Sequence, residues 1–311
     1  MRRKLMGYAS VLAILATLFL FDSRSRGDLL YVCNQGAGTV GVYRTDGTVV
    51  NPNLITGLAE PEGIAIVGSD LYVASFGTVF AGGGTIGKYT TAGGVINPSL
   101  ITGLTQPQSV AVLGSDLFVG EAGGSRIRKY TTDGASVNPN FISATSPEGV
   151  TISGASLLAI NVFNSGYRVS QWDPITGATL NANFITGVGQ SYGMTADASD
   201  VYVVQSGEGT VGKYDALTGA PVNTSLISGI PNGYDAAVSG SDLYVDNFYP
   251  DSTIGHYTTS GATVNASLFG SGLNRPYGMA IAPESALPEP GAAAAAILAA
   301  GVFLRRWARS T

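Results

Sequence analysis

The chain has 311 residues, a formal charge of −5 and 12% charged side chains, with 43 glycines, one cysteine and one histidine. A charged fraction near half the ~25% of ordinary globular proteins excludes coiled coils, helical bundles and charge-rich disorder. The lone Cys33 excludes intrachain disulfides and cysteine-cluster zinc sites, and the lone His256 excludes a histidine-rich metal centre.

Residues 1–27 open with Arg2, Arg3 and Lys4, run through an apolar stretch from Leu5 to Phe21 and end in a polar segment. This is the order of a secretory signal. The apolar stretch is long and no A-x-A site precedes Asp28, so cleavage and retention as an N-terminal anchor both remain open, and export follows from either.

Residues 28–283 repeat one phrase six times. Its clearest part is a β-rich triplet at Leu30-Tyr31-Val32, Leu71-Tyr72-Val73, Leu117-Phe118-Val119, Leu157-Leu158-Ala159, Val201-Tyr202-Val203 and Leu243-Tyr244-Val245, spaced by 41, 46, 40, 44 and 42 residues. Strand-built repeats of ~40–45 residues predict propeller blades, and helical periodicity is nearly absent. An inner-strand phrase precedes most triplets, as in Pro61-Glu62-Gly63-Ile64, Pro107-Gln108-Ser109-Val110 and Pro147-Glu148-Gly149-Val150, with a glycine turn such as Gly68-Ser69 between them. A third strand with period-two alternation follows, as in Gly84 to Tyr89 and Gly209 to Tyr214, then an outer segment such as Asn51-Pro52-Asn53, where an edge strand tolerates proline. The first unit lacks an inner strand, whereas Pro276 to Ile281 is an inner strand with nothing after it. The two fragments complete one blade and remove open edges. The expected fold is all-β: a six-bladed β-propeller whose terminal strands close one blade, flanked by an N-terminal signal helix and a short C-terminal apolar helix.

The phrase P-x-G-h-A-h, then G-x-L-Y-V, then R-I-x-x-Y resembles NHL repeats, and more broadly the six-bladed propellers that include the SMP-30/gluconolactonases. The third unit, Phe118-Val119-Gly120-Glu121 with Ser125-Arg126-Ile127, matches best, but other units carry Asn34, Ser75, Asn161, Gln205 and Asn247 where the family carries an acid.

Residues 284–311 form a tail. Pro288-Glu289-Pro290 leads into an apolar segment, 291–304, and a basic cap at 305–309 with Arg305, Arg306 and Arg309. At ~1.5 Å per residue this helix covers ~21 Å of a ~30 Å hydrocarbon core, which suits transient membrane association better than permanent spanning. The triplet, apolar helix and terminal arginines resemble the PEP-CTERM sorting signal of Gram-negative bacteria that secrete polysaccharide. That resemblance implies an exosortase as partner, removal of the tail near Pro288, and delivery to the cell envelope, outer surface or extracellular matrix. Without residues 1–27 and 288–311 the chain keeps 8 Lys and Arg against 19 Asp and Glu, a formal −11, which disfavours nucleic acid as a partner.

The chemistry on offer is sparse, and no catalytic residue stands out. Gly36 to Gly41 reads as G-x-G-x-x-G, but the pattern recurs at Gly82 and Gly207 and opens third strands, whereas a dinucleotide site opens a helix. His256 is expected to point outward as surface decoration, and Cys33 to be a small buried hydrophobe. Propeller topology gathers the starts of inner strands and the ends of second strands on one face, around the channel. The first ring there is Glu62, Gln108, Glu148, Tyr192, Tyr234 and Tyr277. The second is Asn34, Ser75, Glu121, Asn161, Gln205 and Asn247, with Asp235 and Asp246 close by. Carboxylates, amides and tyrosines at one mouth suit Ca²⁺ or another divalent metal, or a sugar. The SMP-30 resemblance implies a metal-dependent lactonase or hydrolase with Glu62, Glu148, Asn161 and Asn247 as oxygen ligands. The uniform repeats favour the other expectation, a binding or scaffold protein for polysaccharide or a surface protein.

Overall fold

The structure, a computed structural model, describes residues 27–77, 83–163, 166–230 and 232–284. Nearly all of the signal segment and the whole apolar part of the tail lie outside the described residues. Among the described residues no helix is long and apolar enough to cross a membrane.

Six four-stranded antiparallel sheets radiate from a central axis. The first contains β1 (Leu29–Asn34), β2 (Thr39–Arg44) and β3 (Val49–Thr56). The second holds β4 (Pro61–Val67), β5 (Asp70–Ser75), β6 (Gly84–Thr90) and β7 (Val95–Leu104), and the third β8 (Pro107–Leu113), β9 (Asp116–Glu121), β10 (Arg126–Thr131) and β11 (Ser136–Ser143). Blade four is β12 (Pro147–Ser153), β13 (Ser156–Phe163), β14 (Gly166–Trp172) and β15 (Thr179–Val188), and blade five β16 (Ser191–Ala196), β17 (Asp200–Gln205), β18 (Thr210–Asp215) and β19 (Pro221–Ser228). Blade six is β20 (Ala236–Ser239), β21 (Asp242–Asn247), β22 (Thr253–Thr258) and β23 (Thr263–Phe269), after which β24 (Pro276–Ala282) returns to blade one. There β24 pairs with β1, Leu29 opposite Ala282 and Asn34 opposite Pro276, so the ring closes as the phase of the repeats predicts.

The core lies between blades, in six clusters, one per interface. Second strands are covered on both faces, which is why the triplets read as continuous apolar runs; Leu30, Tyr31, Val32, Leu71, Tyr72 and Val73 are all fully buried. The third-strand G-x-Y phrase has a steric cause. Residues two apart share a face, and a Cβ on Gly87 would lie 2.6 Å from the ring of Tyr89, as it would for Gly255 and Tyr257.

A staple recurs at the blade flanks. Lys88 pairs with Asp70 at 2.9 Å, Lys129 with Asp116 at 2.9 Å and Lys213 with Asp200 at 3.0 Å. Each ammonium also sits 5.4–5.5 Å over the second-strand ring of its own blade, Tyr72, Phe118 or Tyr202, and donates to a carbonyl of the next blade, Thr132, Pro174 or Thr259. His256 takes the lysine's place in blade six, bonded to Asp242 at 2.8 Å and stacked on Tyr244 at 4.7 Å. The expectation of surface decoration is therefore corrected: the register turns His256 inward along the blade, into a structural pair.

All six outer strands carry an irregularity at their Asn. In each, the Asn side chain accepts the backbone N–H two residues on, at 3.0–3.1 Å, from Asn51, Asn97, Asn138, Asn181, Asn223 and Asn265. The pairing register slips at the same place, so Pro52, Pro98 and Pro139 sit where the ladder is already broken. A bulged, asparagine-lined edge is a poor template for a foreign strand.

Candidate functional site

The inner strands enclose a cavity of about 240 Å³ along the axis. They approach closely because the third residue of the phrase is small: a Cβ on Gly63 would lie 2.8 Å from the carbonyl oxygen of Gln108, and one on Gly149 2.6 Å from that of Tyr192. The residues entering these strands are strained. Glu60, Gln106, Ser146 and Arg275, each just before a proline, have φ between 43° and 53°, a region costly for L-residues.

All six residues of the first ring line the cavity, and they divide by kind. Blades two, three and four contribute Glu62, Gln108 and Glu148. Blades five, six and one contribute Tyr192, Tyr234 and Tyr277. Tyr192 and Tyr234 stack at 4.6 Å and 10°, and Tyr277 tilts against Tyr234 at 4.9 Å. Phe248 joins at 4.5 Å from Tyr234, and Tyr167 meets Tyr192 edge-on at 6.4 Å. One half of the mouth is thus an aromatic wall and the other half is acid and amide.

On the polar half, Gln35 donates to Glu62 Oε1 at 2.7 Å and Ser146 to Glu148 Oε1 at 2.9 Å. Glu62 Oε2, Gln108 Oε1 and Glu148 Oε2 are buried with no hydrogen-bond partner. Burial pushes the Glu62 carboxyl from 4.5 up to about 8, helped by the charges of Glu60 and Glu148 and opposed by Gln35. Burial likewise raises Glu148. Tyr277 is raised by burial and then by the charges of Glu62 and Glu148, so its hydroxyl shares their space.

Asp235, where other blades place Gly or Ser, belongs to the wall. Its Oδ2 accepts from the Met279 N–H on β24 at 2.9 Å, while its Oδ1 lies where a Cβ on Gly193 of β16 would stand. One side chain thus spans both neighbouring inner strands, and burial lifts its carboxyl to about 7. Asp246 Oδ1 accepts the N–H groups of Tyr234 at 2.6 Å and Asp235 at 2.9 Å. It fixes the chain just before β20, the shortest inner strand, and thereby the placement of Tyr234.

The second ring lies elsewhere. None of Asn34, Ser75, Glu121, Asn161, Gln205 and Asn247 lines the cavity. Glu121 accepts from Thr105 N–H at 2.7 Å, Arg126 Nε at 2.6 Å and Arg128 Nε at 2.5 Å. Asn161 donates to Ala159 O and Ser170 Oγ, Gln205 to Thr210 Oγ1 and Thr224 O, and Asn247 to Thr253 Oγ1. Most of these bonds run toward third and outer strands, and Glu121, Gln205 and Asn34 also accept the N–H groups of Thr105, Gly189 and Asn274 in the segments leading into inner strands. Strand alternation explains it: one residue further on, the chain turns back to the mouth. There stand Gln35, bonded to Glu62, and Phe248, packed on the tyrosine wall. The sequence reading missed both, along with Tyr167, and shifting that ring by one position recovers the first two.

Of Glu62, Glu148, Asn161 and Asn247, the two glutamates line the cavity, whereas Asn161 and Asn247 donate to Ser170 and Thr253 on third strands. Among the described residues no three His, Cys, Asp or Glu side chains converge as a metal site needs. Cys33 is fully buried, its sulfur 3.9 Å from Gly63 O. The G-x-G-x-x-G copies at Gly36 and Gly207 lead into β2 and β18, with no helix beyond a three-residue turn at Gln35–Ala37.

No protein-family model matches the chain, and no curated protein matches it. Among solved structures, a chain of a nidogen/laminin complex is similar at 16% identity and a TM-score of 0.69, over 82% of this chain and 98% of that one. The computationally designed Ika8 protein is similar at 13% identity and a TM-score of 0.48, over 79% and 73% of the two chains. The six sheets and the likeness to the nidogen/laminin chain give the fold: an all-β, six-bladed β-propeller.

Proposed function

We propose that this protein is an exported polysaccharide-binding propeller, sorted to the cell envelope or extracellular matrix by its tail, with the channel mouth as its ligand site. The observation that carries the reading is the divided mouth. Stacked tyrosines offer flat apolar faces of the kind sugar rings cover, and buried, unpartnered oxygens opposite them await hydroxyl or amine donors. Export and sorting rest on the sequence: the basic and apolar start, and Pro288-Glu289-Pro290 ahead of an apolar segment and arginines.

The full-length protein should be retarded in native gels cast with the extracellular polysaccharide of its host, and the Tyr192→Ala/Tyr234→Ala variant should run freely. A wild type that is not retarded, or a variant retarded equally, overturns the binding reading. Replacing Pro288, Glu289 and Pro290 with alanine should leave a larger, unprocessed form in the cell fraction; unchanged processing overturns the sorting reading.

A further inference from the structure

The mouth also carries a statement about charge. The lining contains no Lys, Arg or His. Four carboxyl groups stand in or behind the channel wall: Glu62, Glu148, Asp235 and Asp246. Arg275, exposed at the rim, holds its guanidinium 5.7 Å over the Phe248 ring. An anionic group entering the cavity would meet four acids and no base. A neutral group could satisfy the free oxygens, but only a cation would let Glu62, which burial keeps protonated up to about pH 8, give up its proton against a compensating charge.

A metal ion fits poorly. A hard divalent cation takes about six to eight oxygens. Here Glu62 and Glu148 have each committed one oxygen, to Gln35 and Ser146, and offer one more apiece from separate strands.

Three acceptors remain unpartnered on three adjacent inner strands: Glu62 Oε2, Gln108 Oε1 and Glu148 Oε2. Glu62 is only 4% exposed, so its free oxygen faces the cavity and not bulk water. A primary ammonium has three N–H donors, one positive charge and no acceptor of its own. It is also the group that aromatic faces attract, and the opposite half of the mouth is made of them. The cavity, about 240 Å³, falls below the usual ~300–1,000 Å³ of drug-sized sites, so it holds a single sugar-sized unit and not a threaded chain.

We infer that the unit entering the mouth is an amino sugar at a chain end, its protonated amine held by Glu62, Gln108 and Glu148 and its ring laid on the tyrosine wall. This rests on the polysaccharide-binding reading above and adds the group that is recognised and the end-on mode.

Calorimetric titration of the full-length protein near neutral pH with three probes tests it: the fully deacetylated glucosamine disaccharide, its di-N-acetyl counterpart, and Nα-acetyl-lysine amide. The free-amine disaccharide should bind at least tenfold more tightly than the other two. Glu62→Gln/Glu148→Gln, which keeps both side-chain shapes, should reduce that preference to less than threefold. If the N-acetylated disaccharide binds equally well, the amine assignment falls while sugar binding stands. If neither disaccharide binds, both readings fall. If the lysine amide binds as tightly as the free-amine disaccharide, the ammonium is right and the sugar is wrong. A preference that survives intact in the double variant, folded with an unchanged melting temperature, removes the carboxyls from the site.

Discussion

Replacing Glu62 with Gln should stabilise the protein at high pH and leave it unchanged at low pH. In the unfolded chain this carboxyl titrates near 4.5; in the fold, burial holds it at about 8. Between those values the folded state binds one more proton than the unfolded chain, so stability is highest below the interval, falls as pH rises through it and levels off above it. About 3.5 pH units at ~1.4 kcal/mol each sets the loss at ~5 kcal/mol. Gln keeps the acceptor for Gln35 and carries no charge, so the variant lacks this loss. Denaturant unfolding at about pH 5 and about pH 9 should show variant and wild type within ~1 kcal/mol in acid and the variant ahead by ~3–5 kcal/mol in base. Glu148, Asp235 and Asp246 are present in both proteins, so the comparison isolates Glu62. The same variant-to-wild-type difference at both pH values would refute the reasoning, because an uncharged replacement could then have removed no ionisation cost.

Three further outcomes follow from the packing. Glu121→Ala leaves Arg126, Arg128 and the Thr105 N–H without their shared acceptor and should cost ~3–5 kcal/mol in denaturant unfolding while disaccharide binding is unchanged; lost binding would return Glu121 to the ligand site. Gly87→Ala places a methyl 2.6 Å from the Tyr89 ring and should cost ~1–3 kcal/mol, against little change for Gly270→Ala, whose added methyl would have its nearest neighbour 3.7 Å away on Thr253. Lys129→Met keeps the aliphatic stem but removes the bonds to Asp116 and Pro174 O, and thermal unfolding should report a loss of ~2 kcal/mol; an unchanged melting temperature would show that the staple contributes nothing.

The architecture was legible because each strand type meets a different environment. Second strands, sandwiched between blades, had to be apolar throughout, and their triplets gave the repeat; the unmatched phrases at the two ends gave the closure now seen between β24 and β1. The first ring was legible too, since its residues follow directly from the start of the inner-strand phrase. The second ring was displaced by one residue, because the end of a strand fixes its face only through register, and Asn161 or Gln205 looks as much like a ligand as like a partner for the next strand. Asp235 was visible as an exception but not as a cause. Its reach to Gly193 and Met279 depends on β20 starting late, which no pattern of residue types announces.

The pairing of Leu29 with Ala282 places the first and last ring residues side by side at the far ends of β1 and β24, while Asn34 and Pro276 pair at the mouth. Arg44 and Glu284 are ion-paired at 2.8 Å beside the same far face. The described strands thus begin and end on the face opposite the mouth, so a ligand entering the cavity and the two ends of the propeller approach it from opposite sides.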